Sequence, residues 1–82
     1  MKTTLKSKAR NIIGAKVKLA RVKNKITQEQ LAARLELNDV QLDRIAISRI
    51  ESGNRFVADY EVVEIAKALN VSVDFLLSSE DE

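Results

Sequence analysis

The chain has 82 residues, of which 45% are hydrophobic and 32% are charged, and this composition indicates one small globular domain. It contains neither Cys nor His, which excludes disulfides, thiol chemistry, thiolate or imidazole metal sites and any catalytic triad with a His base. No run of about 18 apolar residues occurs and the first residues lead into charged sequence, so we expect a cytoplasmic protein without a membrane span.

The net charge of +2 is unevenly distributed along the chain. Residues 1–25 contain nine basic and no acidic residues, whereas residues 56–82 contain one lysine and seven acidic residues. Such a basic segment attracts a polyanion, either nucleic acid or an anionic membrane, although a solvated helix face has the same composition. We predict a basic arm over residues 1–7, one domain over residues 8–77 and an acidic, disordered tail over residues 78–82.

The spacing of apolar residues is helical almost throughout, which predicts an all-α fold of five helices. Helix 1 is predicted over residues 8–24, and one apolar stripe of this helix faces the core. A second stripe lies well round the helix and consists of Ile12, Ala15, Leu19 and Val22. A surface helix needs only one apolar stripe, so the second stripe requires a partner.

Helix 2 is predicted to begin after Thr27, because Thr27-Gln28-Glu29-Gln30 forms a capping box. It is expected to end at Leu37, with Asn38 as a left-handed residue that closes it. In the connection that follows, Val40 and Leu42 are expected to turn inward.

The remaining helices are predicted from the residues at their ends. Asp43 and Ser72 are good N-caps, and Gly53 and Asn70 are suited to the left-handed conformation that ends a helix. These signals predict helices 3, 4 and 5 over residues 44–52, 59–69 and 73–77.

Three sequence blocks follow one another along the chain: TQEQLA at residues 27–32, ISRIESGNR at residues 47–55 and IAKALNVSVD at residues 65–74. Together they closely resemble the helix-turn-helix of the phage repressor and Cro family of bacterial transcription regulators. The resemblance covers about residues 12–77. It implies a five-helix, repressor-like DNA-binding domain with the motif at helices 2 and 3. It also implies a bacterial or phage-encoded, nucleoid-associated repressor with no catalytic residues, no cofactor and no metal.

Three features depart from the family pattern. The connection between helices 2 and 3 is several residues longer than usual, which predicts a lengthened turn. Lys25 stands where the family usually has Gly, so Asn24 or a strained Lys25 must form the turn after helix 1. Ala58 stands where a hydroxyl N-cap is usual, so Asp59 is expected to cap helix 4 instead.

Helix 3 is the predicted DNA-reading helix, since in this fold the second helix of the motif enters the major groove. The residues expected on its exposed face, and therefore at base edges, are Arg44, Ile45, Ser48 and Arg49. Arg49 is able to bridge guanine O6 and N7, and Ile45 is able to pack on a thymine methyl. The alternatives are solvated arginines paired with acids, and an Ile45 that packs under Val40 or Leu42.

The resemblance also implies contacts outside the groove. The predicted phosphate contacts are Thr27, Gln28, Asn54 and Arg55. Thr27 and Gln28 stand at a helix N-terminus, whose free N–H groups favour an anion. Arg21 and Glu51 are expected to form an internal ion pair between helices 1 and 3, the alternative being two unrelated surface charges.

The expected partners are double-stranded DNA and a second copy of the chain, with no membrane and no small-molecule ligand. The candidate dimer surface consists of Ile12, Leu19, Val22, Phe75 and Leu76. The last helix alternatively folds onto the helix 1 stripe within one chain. The competing function is a helical protein-interaction module, such as an antitoxin or anti-regulator, that acts through its acidic C-terminal face. We do not expect an enzyme.

Overall fold

The computed structural model of the protein describes residues 9–78. Over this range the chain forms helices and no strand, and the helices are α1 (Gly14–Lys23), α2 (Gln28–Glu36), α3 (Arg44–Glu51), α4 (Asp59–Leu69) and α5 (Val73–Leu77). The all-α, five-helix prediction is therefore confirmed. The predicted basic arm and residues 79–82 of the predicted tail lie outside the described residues. None of these helices is long and apolar enough to cross a bilayer.

A single hydrophobic core holds the helices together. α1 packs against α3, α4 and α5, and α2 packs against α3 and α4. The largest fully buried side chains come from every helix or its cap: Ile13, Val17, Leu31, Leu35, Ile47, Ile50, Ile65, Leu69 and Leu76. Each such side chain contributes roughly 1.5–3 kcal/mol relative to an exposed position, so the stripes fix how the helices lie against one another.

The start of α1 differs from the prediction, because the helix begins at Gly14 rather than at residue 8. The Asn11 side-chain oxygen accepts hydrogen bonds from the backbone N–H groups of Ile13 (3.1 Å) and Gly14 (2.8 Å). Its amide group donates to the carbonyls of Ile50 (3.1 Å) and Arg55 (2.9 Å). The Asn11 side chain thus accepts from the first N–H groups of α1, whose N-cap is Ile13, and joins the start of this helix to the end of α3.

Gly14 allows α1 and α3 to cross at very short range. A Cβ atom at this position would lie 2.9 Å from the carbonyl oxygen of Glu51 and closer still to that of Ile50. Real Cβ atoms do not approach oxygen so closely, so only glycine fits here. This crossing sets the position of α3, the helix with the predicted base contacts.

The lengthened turn between α2 and α3 folds back onto the core. The Val40 N–H donates to the carbonyl of Leu35 at 3.0 Å, and Val40 and Leu42 are buried, which confirms their predicted direction. The left-handed residue is Asp39, with a φ of 63°, so the assignment of Asn38 to this role was wrong. The Asn38 N–H still bonds the Leu35 carbonyl at 2.9 Å, which continues the helical turn and delays the reversal by one residue.

The other departures from the family pattern are resolved at helix ends. Lys25 itself adopts the left-handed conformation after α1, with a φ of 60°. The N-cap of α4 is Ala58, and the prediction that Asp59 caps this helix was wrong. The Glu61 carboxylate accepts from the Ala58 N–H at 3.0 Å. This bond is the half of a capping box that needs no side-chain oxygen on the N-cap residue. The structure uses the other predicted terminal residues, which are Thr27, Asp43, Gly53, Asn70 and Ser72. Helices α1, α2 and α3 each end one residue before the predicted end.

Candidate nucleic-acid interface

One face of α3 is anchored in the core and the other is open to solvent. The Asp43 carboxylate accepts from the Ala46 N–H at 2.8 Å and starts the helix. Ile47 and Ile50 are buried, which turns the opposite face outward. The predicted base contacts lie on that outward face: Arg44, Ile45 and Arg49 are exposed and Ser48 is partly exposed.

The two arginines of this face have no acidic partner among residues 9–78, since neither guanidinium makes an ion pair or a hydrogen bond there. Neither Arg44 nor Arg49 is therefore paired with an acid of residues 9–78. Ile45 has 50% of its surface exposed, so it is not packed beneath Val40 and Leu42. Two arginines without an acidic partner in the described part of the chain thus share one helix face with a half-exposed β-branched side chain.

Beside this face, Glu51 connects three helices. Its carboxylate accepts from Arg21 Nε at 2.7 Å and Nη2 at 3.1 Å, and from Gln28 Nε2 at 3.0 Å. The Arg21 and Glu51 side chains are only 12% and 6% exposed. The hydrogen bond to Glu51 raises the pKa of Arg21 above its ordinary value, against the opposing effect of burial. Arg21 is consequently an internal cation, not one that faces a ligand.

The start of α2 lies next to the Glu51 cluster. Thr27 and Gln30 form the capping box, with the Thr27 hydroxyl accepting from the Gln30 N–H at 3.0 Å and the Gln30 side chain accepting from the Thr27 N–H at 2.8 Å. A shallow depression of about 200 Å³ opens here between α1, α2 and α3. Its lining residues are Lys18, Gln28, Ser48, Glu51 and Ser52. Lys18 was not among the predicted site residues. Its place in the basic segment of residues 1–25, which contains no acid, was the only feature of the sequence that pointed to it.

The two predicted phosphate contacts after α3 differ in their surroundings. Asn54 is exposed. The Arg55 guanidinium instead donates to the Phe56 carbonyl at 2.8 Å and forms an ion pair with Glu61 at 3.1 Å. Glu61 is buried, so this ion pair ties the α3–α4 loop to the first turn of α4. Arg55 therefore has a structural role whether or not it meets a phosphate.

The candidate dimer surface is only partly available. Leu76 is fully buried in the monomer core, so its assignment to a dimer surface was wrong. The rest of α5 meets α1 through Lys16, whose ammonium group donates to the Phe75 carbonyl at 3.3 Å and lies 5.1 Å from the Phe75 ring centre. This contact leaves the α1 stripe uncovered, because Leu19 is 50% and Val22 56% exposed.

Most of the chain matches a known protein family and a solved structure. A family model described as helix-turn-helix matches residues 17–76, a segment that includes every predicted DNA contact. No curated protein matches the chain. The chain is similar to the crystal structure of a hypothetical transcription factor, NHTF, from Neisseria, with 26% identity and a TM-score of 0.73. That similarity covers 95% of this chain and 86% of the other.

Within the described residues, no group of side chains is arranged to hold a metal ion.

Proposed function

Because the chain belongs to the helix-turn-helix family of Cro and C1-type regulators, we propose that it is a sequence-specific transcription repressor that inserts α3 into the major groove. The observation that carries the proposal is the outward face of α3. Arg44 and Arg49 have no acidic partner in the described chain, and Ile45 is half-exposed beside them. These exposed side chains add no stability to a free monomer. The major groove of DNA supplies hydrogen-bond acceptors for the arginines and thymine methyl groups for the isoleucine.

Each side chain of this face has a distinct task in the groove. Arg49 donates two parallel hydrogen bonds to O6 and N7 of a guanine, an arrangement that its planar guanidinium matches. Ile45 packs on a thymine methyl, and Ser48 donates a hydrogen bond to a base at close range. Arg44, in the first turn of α3, holds either a second guanine or a flanking phosphate.

The phosphate backbone is held at the start of α2. Free N–H groups and the positive end of the helix dipole favour a phosphate there, and Thr27 and Gln28 stand beside them. Gln28 is oriented by its hydrogen bond to Glu51, and Lys18 adds a cation at the same depression. Asn54 contacts the backbone beyond α3, and Arg55 contributes the part of its guanidinium that Glu61 does not use.

The protein acts as a homodimer in the bacterial cytoplasm at the nucleoid. An eight-residue recognition helix contacts only a few base pairs, so one copy carries little specificity. Two copies related by a twofold axis contact half-sites about 34 Å apart and supply the rest. Repression follows most simply, because a small bound domain blocks its site without a further surface. Catalysis is not part of the proposal, since Cys and His are absent from the sequence.

Selection of bound duplexes from a random library, followed by fluorescence anisotropy, tests the proposal. We expect a selected site whose affinity falls with salt at a log–log slope of roughly −4 to −7, equivalent to about five to eight phosphate contacts. Arg49→Ala should cost about 1–3 kcal/mol on the selected site and relax preference at one base pair per half-site. Arg34→Ala is the matched control, because it removes the same charge from an exposed position on α2. A slope near zero and no enriched sequence would favour the protein-interaction module instead.

A further inference from the structure

A second exposed apolar surface lies at the start of α4 and along its solvent-facing side. It consists of Phe56, in the loop that leads into α4, and of Tyr60 and Val63 on α4 itself; we call it the α4 patch. These side chains are 71%, 63% and 40% exposed. Tyr60 and Val63 are three residues apart and share one helix face, opposite the buried residues of α4. Two of the three aromatic residues of the chain are therefore exposed on α4 or in the loop that leads into it.

We propose that the α4 patch is the surface through which a second copy of this chain docks. The inference rests on the proposed function, which requires two copies on adjacent half-sites. Aromatic side chains are enriched at the centres of interfaces, because they bury much area at little cost in conformational entropy. The Phe56 ring is also held in place, since the Arg10 guanidinium lies 5.7 Å from its centre.

The charges around the α4 patch suit a twofold contact. α4 has Asp59 in its first turn and Lys67 in its last. A twofold axis across α4 sets the two helices antiparallel, so that Lys67 of each copy approaches the Asp59 end of the other. Lys67 also pairs with Glu64 in its own chain at 3.5 Å, and both side chains are partly exposed. At each end of the contact, the lysine of one copy therefore lies near the aspartate of the other.

The α1 stripe is the competing surface, and its charges oppose a twofold contact. Lys18 and Lys23 flank the stripe, and residues 1–25 contain no acid. Packing α1 on the α1 of a second copy brings these lysines together without a compensating charge from either helix. The stripe has apolar area but lacks the charge pattern of the α4 patch.

The size of the α4 patch predicts a weak dimer. Fully buried Phe and Tyr side chains each cover about 150–250 Å², so the exposed parts of the patch supply about 700 Å² of apolar area for two copies together. Stable interfaces bury about 1,200–2,000 Å² in total. The free protein is therefore monomeric at micromolar concentration, and the dimer forms when DNA holds two copies side by side.

The test compares two matched double variants on duplexes with one or two selected half-sites. Tyr60→Lys with Val63→Lys alters the α4 patch, and Leu19→Lys with Val22→Lys makes the same charge change on the α1 stripe. We expect the α4 variant to bind one half-site within about twofold of wild type but to lose at least about tenfold in affinity on two half-sites. The α1 variant should keep its cooperativity. Loss of cooperativity in the α1 variant alone, or independent binding by the wild type, would overturn the proposal.

A charge reversal tests the antiparallel arrangement. Lys67→Glu should weaken binding to two half-sites, and addition of Asp59→Lys should restore it to within about threefold of wild type. Failure of the second substitution to rescue the first would rule out this orientation. Circular dichroism spectra should confirm that every variant is folded, and Tyr60→Ser replaces the α4 double variant if the latter is not.

Disulfide crosslinking separates failure of this inference from failure of the proposed function. The sequence has no native Cys, so Val63→Cys and Leu19→Cys each introduce a single thiol. At millimolar protein without DNA, oxidation should convert mainly Val63→Cys to a covalent dimer. A dimer from Val63→Cys supports the α4 patch even if no duplex is bound. A dimer from Leu19→Cys alone, or from neither variant, contradicts the α4 patch while leaving DNA binding by α3 untouched.

Discussion

Glu51→Ala should destabilise the free protein strongly, because it removes one partner of a buried ion pair. The Glu51 side chain is 6% exposed and accepts two hydrogen bonds from Arg21 and one from Gln28. The Arg21 guanidinium, 12% exposed, would keep only its bond to the Ile26 carbonyl at 2.9 Å. Breaking a buried pair in this way costs about 3–5 kcal/mol. Since neither side chain is completely buried, we expect about 3 kcal/mol.

Thermal and urea unfolding followed by circular dichroism measure this effect. A loss of about 3 kcal/mol in a domain of this size lowers Tm by roughly 12–24 °C. Glu64→Ala is the matched control, since it breaks the exposed Glu64–Lys67 pair, whose side chains are 25% and 65% exposed. The control should change the free energy of unfolding by less than about 1 kcal/mol.

The pH dependence follows from the pKa of Arg21, which is raised in the folded protein. A raised folded pKa contributes stability that is complete below the unfolded pKa and is lost only as pH rises through the folded value, in strong alkali. The difference in Tm between wild type and Glu51→Ala should therefore stay constant from about pH 7 to about pH 10. A Tm within a degree of wild type, or a difference that vanishes by pH 10, would refute the buried-pair argument.

Two further predictions concern the contacts of α1 and α2. Gly14→Ala should destabilise the fold by about 1–3 kcal/mol, because the new methyl group meets the backbone of α3 at Ile50 and Glu51. Urea unfolding measures this loss of stability. An unchanged urea midpoint would show that α1 and α3 move apart without cost and would contradict the prediction. Gln28→Ala should weaken selected and random duplexes alike in anisotropy titrations, since a phosphate contact carries no sequence information. A loss confined to the selected duplex would instead make Gln28 a base contact.

The sequence by itself determined most of the helix caps and the core-facing stripes. The Thr27 capping box, the Asp43 and Ser72 caps and the left-handed Gly53 all occur in the structure where the sequence predicts them. Each depends on hydrogen bonds between residues three or four positions apart, so the information is local. The order of the three motif blocks likewise sufficed to identify the family, and the family match agrees.

Only the tertiary structure decided which residues meet across the chain. The Asn11 side chain donates to the carbonyl of Ile50, 39 positions away, and nothing near Asn11 in the sequence signals that contact. The same holds for the burial of Leu76, which local spacing could not distinguish from an exposed dimer contact. The pairing of Arg55 with Glu61 is a further case, since either charge alone looks like a solvated surface residue. Helix ends are set by neighbours along the chain, whereas burial and ion pairing are set by which helix faces the core brings together.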